Sequence, residues 1–326
     1  MAKTIYVGVG GVARKVKKAF VGVGGVARKV KKAWIGVGGV ARLCFSGGEL
    51  SYYGTATELN VARNRLAATT IGSYALFAGG LASSNSAVVD AYNTSLTRSI
   101  PTALSAALRY LAGASVGNYA LFGSGYTGNA SDVVNAYNTA LTRSVPTALS
   151  AARYVAAAAS VGNYALFGGG SQSAAVDAYN TSLTRSVTTA LSTVRNECAA
   201  ASVGAYALFA GGGSSGNIST ATVDAYDASL TRLSVTALSA ARGRLSAASI
   251  GDYALFGGGA LNYDDAYLTT VDAYDIALTR TTPTALSVAK HELAAASIGE
   301  YALFAGGRSG SSSSTRTAVV DAYKIE

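Results

Sequence analysis

Few residues of this 326-residue chain have the types and spacing that catalysis or metal binding requires. The single histidine, His291, cannot build a multi-histidine copper site, and the chain has no zinc-ligand spacing. Asp264 and Asp265 are adjacent acids, which alone make a poor calcium site. No Ser-His-Asp set or nucleophile elbow is present. We therefore expect a protein without catalytic residues, metal or cofactor, and we interpret His291 as structural.

Ligand binding is the function that remains to be considered. Ser, Gly, Asn and Tyr residues, which suit binding, lie in six intervals of unequal length. Each interval runs from a Tyr-Ala-Leu-Phe phrase to a later recurring tyrosine, and its length varies from 15 residues (Tyr164 to Tyr179) to 22 residues (Tyr301 to Tyr323). Loops of this composition are typical of an adaptable binding surface, although loops that bind nothing also vary in length. The candidate binding residues are Ser84, Asn85, Tyr126, Asn129, Asn217, Asn262, Tyr263, Asp264, Arg308 and Arg316.

A basic residue recurs shortly before the Tyr-Ala-Leu-Phe phrase in five of the repeats, and Leu108 occupies the sixth place. Two interpretations are open. The cations form a ring that holds an acidic ligand, or they are structural and donate hydrogen bonds to neighbouring backbone carbonyls. The five residues are Arg63, Arg153, Arg195, Arg242 and Lys290.

The elements that must position these residues follow from the repeat itself. An Asp-Ala-Tyr or Asn-Ala-Tyr phrase follows every Tyr-Ala-Leu-Phe phrase, and successive copies lie 42 to 48 residues apart. A repeat of this length with four strand-like runs indicates a β-propeller blade, and the Ala- and Ser-rich run before each phrase suits its crowded innermost strand. The six phrases begin at Tyr74, Tyr119, Tyr164, Tyr206, Tyr253 and Tyr301.

These motifs resemble the Kelch-repeat propeller family over roughly residues 51–326. The resemblance rests on a double glycine after an apolar strand, a spaced tyrosine and an arginine before the innermost strand, here Gly169-Gly170, Tyr179 and Arg153. The tryptophan usual in that family is absent, and arginines such as Arg185 stand near its place. In every repeat the insertions fall between the glycines and the Asp-Ala-Tyr or Asn-Ala-Tyr phrase, in the loop that joins the second and third strands. We therefore expect all the variable loops to emerge on one face of the disc, with the recurring cations around the mouth of its central channel.

The last repeat lacks the Leu-Thr-Arg and Thr-Ala-Leu-Ser runs that follow the other copies. Residues 57–63 match part of the missing run, and no blade precedes them. We therefore predict that residues 51–60 supply the outer strand of the last blade and remove two exposed sheet edges. The expected fold class is all-β: a six-bladed Kelch-like β-propeller closed by an N-terminal strand and preceded by a small unit of β-repeats.

That small unit occupies residues 1–47, and the propeller occupies residues 48–326. Three copies of a 14-residue phrase begin at Tyr6, Phe20 and Trp34, and residues 1–45 carry ten basic side chains and no acid. Valine and lysine alternate between Gly-Gly pairs, which predicts short hairpins or a meander. Such strands bury too little surface to stand alone, so we expect attachment to a host assembly or homo-oligomerisation. Nucleic-acid contact by the lysines is the disfavoured interpretation, because lysine also protects exposed strand edges.

The sequence shows no apolar run long enough for a membrane span and no signal-peptide core, and its two cysteines, Cys44 and Cys198, cannot form a disulfide framework. We expect synthesis in a bacterial host cytoplasm. The near-identical blades behind basic repeats resemble the layout of phage or prophage tail-associated, fibre-like proteins. That resemblance implies a non-enzymatic virion structural protein. Its residues 1–47 would contact other tail proteins, and its propeller would bind a host-surface glycan or protein. The alternative is an intracellular Kelch-type interaction module; a carbohydrate-active enzyme comes third.

Overall fold

The computed structural model is all-β, with no helix among the residues that it describes. These residues are six strands between residues 6 and 46, together with residues 57–214, 218–262, 266–298, 301–309 and 316–325. The chain divides into two compact units, Met1–Thr55 and Ala56–Glu326, whereas the boundary expected from the sequence lies after residue 47.

The described strands of the first unit form three antiparallel hairpins, one for each 14-residue phrase. The two strands of each hairpin are separated by one Gly-Gly pair of the sequence, as the alternation predicts. Every hairpin is a two-stranded sheet of its own. The strands are Tyr6–Val9 with Val12–Lys15, Phe20–Val23 with Val26–Lys29, and Lys32–Val37 with Val40–Ser46.

The second unit is a propeller of six antiparallel sheets, blades I to VI in chain order, and this confirms the predicted six-bladed fold. Strands are numbered outward from the central channel. The first strands are Ala67–Ile71, Ala112–Val116, Ala157–Val161, Ala199–Val203, Ser246–Ile250 and Ala294–Ile298. The second strands are Tyr74–Ala78, Tyr119–Gly123, Tyr164–Gly168, Tyr206–Ala210, Tyr253–Gly257 and Tyr301–Ala305.

The outer half of each blade carries the Asp-Ala-Tyr phrase and the Leu-Thr-Arg run. The third strands are Val89–Tyr92, Val134–Asn138, Val176–Asn180, Val223–Tyr226, Val271–Asp275 and Val320–Lys324. The fourth strands of blades I to V are Arg98–Ser99, Arg143–Ser144, Arg185–Thr188, Arg232–Ser234 and Arg280–Thr281. A short extra hairpin in blade V joins Ala260–Leu261 to Ala266–Tyr267.

Successive blades pack through the apolar faces of their sheets. In the joint between blades III and IV, Leu166 and Val176 of one sheet belong to the same buried cluster as Phe209 and Tyr226 of the next. The two aromatic rings form a T-shaped pair with centroids 5.8 Å apart. Burying a side chain of this size contributes about 1.5–3 kcal/mol, so apolar joints of this kind stabilise the ring.

A ladder of serine hydroxyls links the first strands around the central channel. The Oγ atom of Ser160 donates to the carbonyl oxygen of Ser115 at 2.5 Å, Ser202 donates in the same way to Ser160 at 2.6 Å, and Ser249 to Ser202 at 2.6 Å. Ser297 continues the series to Ser249. Small residues of the first strands line a channel of about 390 Å³, because larger side chains would collide where the blades converge.

The double glycine is required by the close approach of a neighbouring backbone. Gly169 and Gly170 have φ angles of 70° and 87°, in the region that side chains disfavour. A Cβ atom on Gly169 would lie 2.8 Å from the carbonyl oxygen of Arg195, and one on Gly170 would lie 2.6 Å from that of Tyr154. The glycines therefore let the end of the second strand of blade III contact the segments that lead into blade III and into blade IV.

The joint between blades VI and I differs from the other five. Val320 is 57% exposed, whereas Val176 at the same place in blade III is fully buried. Leu303 and Phe77, on the two facing sheets, are half-buried. Most of the predicted closing strand, residues 51–56, lies outside the described residues, so that strand stays a prediction.

Residues 57–60 lie within the described part and do not form a strand there. They contact the third strand of blade I instead. The backbone N–H of Asn60 donates to Asp90 at 2.9 Å, and the hydroxyl of Tyr92 donates to the carbonyl oxygen of Thr57 at 2.7 Å. Ser105 and Thr102 make the same two contacts ahead of blade II. Residues 57–60 therefore follow the path of a connection between blades.

Candidate binding face

The variable loops lie beside the connections between blades. We call the segment that leads into the first strand of each blade a linker. In blade I the N–H of Leu81, in the variable loop, donates to the carbonyl oxygen of Asn64, in the linker, at 2.7 Å. Tyr126 contacts Arg109 in the same way in blade II. Because matching contacts recur in other blades, loops and linkers form one surface, which we call the loop face.

The structure brings together some of the predicted binding residues and separates others. The side-chain amide of Asn85 donates to the carbonyl oxygen of Tyr126 at 3.0 Å, so these two form one site across blades I and II. Arg308 and Arg316 face each other across the loop of blade VI. Ser84, Asn129 and Asn262 are exposed at separate loops. The remaining three, Asn217, Tyr263 and Asp264, lie outside the described residues.

A ring of residues with the left-handed backbone conformation circles the channel mouth, and sequence reasoning missed it. One residue in each linker, two positions after the recurring basic site, has a φ angle between 51° and 58°. Side chains other than glycine adopt this conformation at a cost of about 1 kcal/mol or more. Five consecutive N–H groups of the set donate to the carbonyl oxygen of the previous member at 2.9–3.3 Å. We call these residues the collar: Arg65, Tyr110, Val155, Glu197, Arg244 and Glu292.

On the side of blades I to III the loop face is cationic and aromatic. The guanidinium carbon of Arg65 lies 4.8 Å from the ring centroid of Tyr110, and that of Arg109 lies 4.8 Å from the ring centroid of Tyr126. The Tyr126 and Tyr154 rings are 5.2 Å apart in a T-shaped arrangement. Within the described ranges, no acidic side chain forms an ion pair with Arg65 or Arg109. We call these five residues the Arg/Tyr cluster.

On the side of blades IV to VI the collar is neutralised by its own ion pairs. Arg244 Nε lies 2.9 Å from an oxygen of Glu197, and its Nη1 lies 3.8 Å from an oxygen of Glu292. Arg308 also contacts Glu292, at 3.6 Å. His291 is buried and stacks on Tyr267 with ring centroids 4.3 Å apart. The loop face is therefore electrostatically asymmetric.

The five recurring cations lie beneath the loop face. Their side chains are fully buried, and each pairs with an aspartate of a third strand, as Arg63 does with Asp90 at 2.7 Å and Arg242 with Asp272 at 2.7 Å. Arg63 Nε also donates to the carbonyl oxygen of Gly79 at 2.6 Å. A ligand at the channel mouth would not reach these groups, and their contacts are those expected of structural cations. The other pairs are Arg153–Asp177, Arg195–Asp224 and Lys290–Asp321.

In the Lys290–Asp321 pair, several hydrogen bonds together lower the pKa of the aspartate by more than burial raises it. Burial alone would raise the pKa of Asp321, but hydrogen bonds from Lys290 and Ser287 lower the pKa below its ordinary value. The carboxylate is therefore held in its charged form. Tyr323, two residues later, behaves in the opposite way, because burial and the Asp321 charge raise its pKa to about 12.

Blade II replaces the ion pair by a neutral pair. Leu108 occupies the basic site and Asn135 occupies the aspartate site, and both are fully buried. The Asn135 Oδ1 atom accepts the backbone N–H of Ser105 at 2.9 Å. The nearby Arg143 donates to the carbonyl oxygen of Ala103 at 2.8 Å instead of to an acid. Both exchanges are visible in the sequence, but only the contact between linker and third strand shows that they compensate each other.

The described residues contain no group of three or more His, Cys, Asp or Glu side chains placed to hold a metal ion. The described part also contains no helix that is long and apolar enough to cross a membrane. Neither a scan against protein-family models nor a search of curated proteins found a match for the chain.

Proposed function

We propose that this protein is a non-enzymatic recognition protein that binds a cell-surface ligand at the loop face of its propeller. In this proposal it is a structural component of a phage or prophage tail, and residues 1–47 attach it to other tail proteins. The virion context is carried by the basic 14-residue repeats ahead of the blades. The recognition role is carried by the propeller.

The observation that supports recognition most directly is the contrast between a constant frame and a variable face. Blades III, IV and V reproduce the same buried Arg–Asp pair, and the serine ladder runs through them. Among these three blades the loops differ in length, and the collar residue changes from Val155 to Glu197 to Arg244. A rigid scaffold that varies at one surface is the arrangement of a binding protein.

The surroundings of the single histidine also favour binding over catalysis. His291 is buried and stacked on Tyr267, which suits packing between a linker and the extra hairpin of blade V. The neighbouring Glu292 is engaged with Arg244 and Arg308. These groups hold the loop face together, so we assign them a structural role.

The experiment measures adsorption of the purified full-length protein to bacterial cells and to their isolated surface polysaccharide. Replacing residues 126–129 by a Gly-Ser segment should abolish adsorption, because that segment lies on the loop face. The matched control is Asn163→Ala, in the exposed turn at the opposite end of blade III. Equal adsorption by both variants, or none by the natural protein, would contradict the recognition role.

A second experiment tests the virion context. Deleting residues 1–47 should leave a propeller that still adsorbs to cells but no longer sediments with phage particles. If the full-length protein never sediments with particles and instead captures a cytosolic protein through residues 126–129, the intracellular interaction module is supported in its place.

A further inference from the structure

We propose that the Arg/Tyr cluster binds an acidic saccharide, whose carboxylate contacts Arg65 and Arg109 and whose ring packs on the tyrosines. This inference rests on the proposed function and names the class of ligand for its site. Three observations carry it: unneutralised positive charge, an ordered guanidinium and a small aromatic surface.

The charge of the cluster is available to a ligand. Arg65 is exposed, Arg109 is half-buried, and within the described ranges neither forms an ion pair. The matched collar residue of blade V, Arg244, is by contrast already engaged by Glu197 and Glu292. An anion arriving at the loop face is therefore attracted to blades I to III rather than to blades IV to VI.

The Arg109 guanidinium is held ready before any ligand arrives. Its Nη1 atom donates to Asn85 Oδ1 at 3.2 Å, and its guanidinium carbon lies 4.8 Å from the ring centroid of Tyr126 and 5.7 Å from that of Tyr110. A side chain that is already ordered in this way loses less entropy on binding.

The tyrosines explain why the ligand is a saccharide. The rings of Tyr110 and Tyr154 are 6.3 Å apart, and those of Tyr126 and Tyr154 are 5.2 Å apart, so three half-buried rings form one small amphipathic surface. Such a surface offers apolar area to the C–H groups of a sugar and hydroxyls to its polar edge. Exposed Thr127 and Asn129 add polar groups at the rim.

The extent of the charge disfavours nucleic acid. A polyphosphate backbone is held by many cations spread along a surface, whereas the cluster has two arginines and is followed around the collar by Glu197 and Glu292. A carboxylate-bearing sugar carries about one charge per residue, which matches two adjacent guanidinium groups better. An acidic peptide has the same charge but lacks the hydroxylated sugar ring with its C–H face, so we treat it as an outcome of the test.

The test is isothermal calorimetry of the full-length protein with two tetrasaccharides that differ only at C6 of each sugar. The acidic probe is a mannuronate tetramer, and the neutral probe is the same tetramer with its carboxylates reduced to alcohols. We expect the acidic probe to bind at least about tenfold more tightly, since two charge-assisted hydrogen bonds are lost with the reduced one. Raising the salt concentration should narrow the difference.

Arg65→Gln and Arg109→Gln should each weaken binding of the mannuronate tetramer by about tenfold. Arg244→Gln is the matched control, because Arg244 occupies the same collar position as Arg65 with a φ angle of 54° against 55°. It should change the affinity by less than about twofold. Circular dichroism of each variant checks that the propeller is intact.

Several outcomes overturn the inference. These are no binding of the acidic probe, equal binding of both tetramers, equal losses in Arg65→Gln and Arg244→Gln, or tighter binding of a tetraglutamate peptide. The proposed function is tested separately by adsorption to cells. If adsorption needs residues 126–129 but survives Arg65→Gln and Arg109→Gln, the recognition role stands and the acidic-saccharide inference fails.

Discussion

The exchange of an ion pair for a neutral pair in blade II leads to a quantitative expectation for the other blades. Asp177→Asn in blade III removes the acid and leaves the Arg153 side chain, which is fully buried, without its counter-charge. The double variant Arg153→Leu with Asp177→Asn instead copies the arrangement that Leu108 and Asn135 adopt in blade II. The single change should be costly and the double change mild.

The magnitude follows from the burial of both partners. Leaving a buried charge uncompensated costs about 3–5 kcal/mol of unfolding free energy, whereas replacing a buried ion pair by groups that fit is often neutral or stabilising. We allow up to about 1.5 kcal/mol for imperfect packing of the new leucine. Arg185, which also contacts Asp177 at 3.0 Å, should turn to the carbonyl oxygen of Ala148, as Arg143 does to Ala103 in blade II. The coupling energy is then about 2 kcal/mol or more.

The assay is guanidinium unfolding of the full-length protein, its two single variants and the double variant, followed by circular dichroism. The dependence of the unfolding free energy on denaturant concentration must be the same for all four proteins before their free energies are compared, because a propeller can unfold in parts. The reverse pair, Leu108→Arg alone and with Asn135→Asp, is a second and independent cycle. The reasoning would be refuted if the double variant were as unstable as Asp177→Asn. It would also be refuted if Asp177→Asn lowered the unfolding free energy by less than about 1 kcal/mol.

Three further expectations concern the frame. Tyr179→Phe should cost about 1–2 kcal/mol of unfolding free energy, because its buried hydroxyl donates to the carbonyl oxygen of Thr147 at 2.6 Å; an unchanged denaturant midpoint would contradict this. Gly170→Ala should lower the melting temperature, whereas Gly243→Ala, which has no positive φ angle and whose new Cβ atom would lie no closer than 3.6 Å to its neighbours, should change it much less. Burial raises the pKa of Tyr323 from 10.0 to about 12, so its stabilising contribution is complete below pH 10.0 and is lost as pH rises through about 12. Denaturant midpoints measured across that window should fall with rising pH, and a flat profile would count against the assignment.

Much of the frame follows from the sequence, because each blade repeats the same phrases at the same places. The Tyr-Ala-Leu-Phe phrase predicts the second strand, and the double glycine at Gly169 and Gly170 marks its end. The position of the insertions predicts the loop face. The Tyr-Ala-Leu-Phe phrase recurs six times at a nearly constant spacing, which chance matches do not produce.

The features that were missed depend on contacts between different blades. Arg65, Tyr110 and Val155 occupy one structural position but have nothing in common as residue types, so no motif identifies the collar. Arg109 and Tyr126 meet only because a linker pairs with a loop. The compensation between Leu108 and Asn135 joins two places that are 27 residues apart in the chain. Periodicity shows where blades are, and it does not show which side chains meet between them.

The direction of the bonds between blades has a consequence for biosynthesis. The Oγ atom of Ser202 donates back to Ser160, and the N–H of Glu197 donates back to Val155, so in both series the donor belongs to the later blade. The N-terminal part of a chain leaves the ribosome first, so the acceptor atom of each of these bonds emerges before its donor. Each blade can therefore pack on the preceding blade as it leaves the ribosome. The propeller can form one blade at a time while the rest of the chain is still being synthesised.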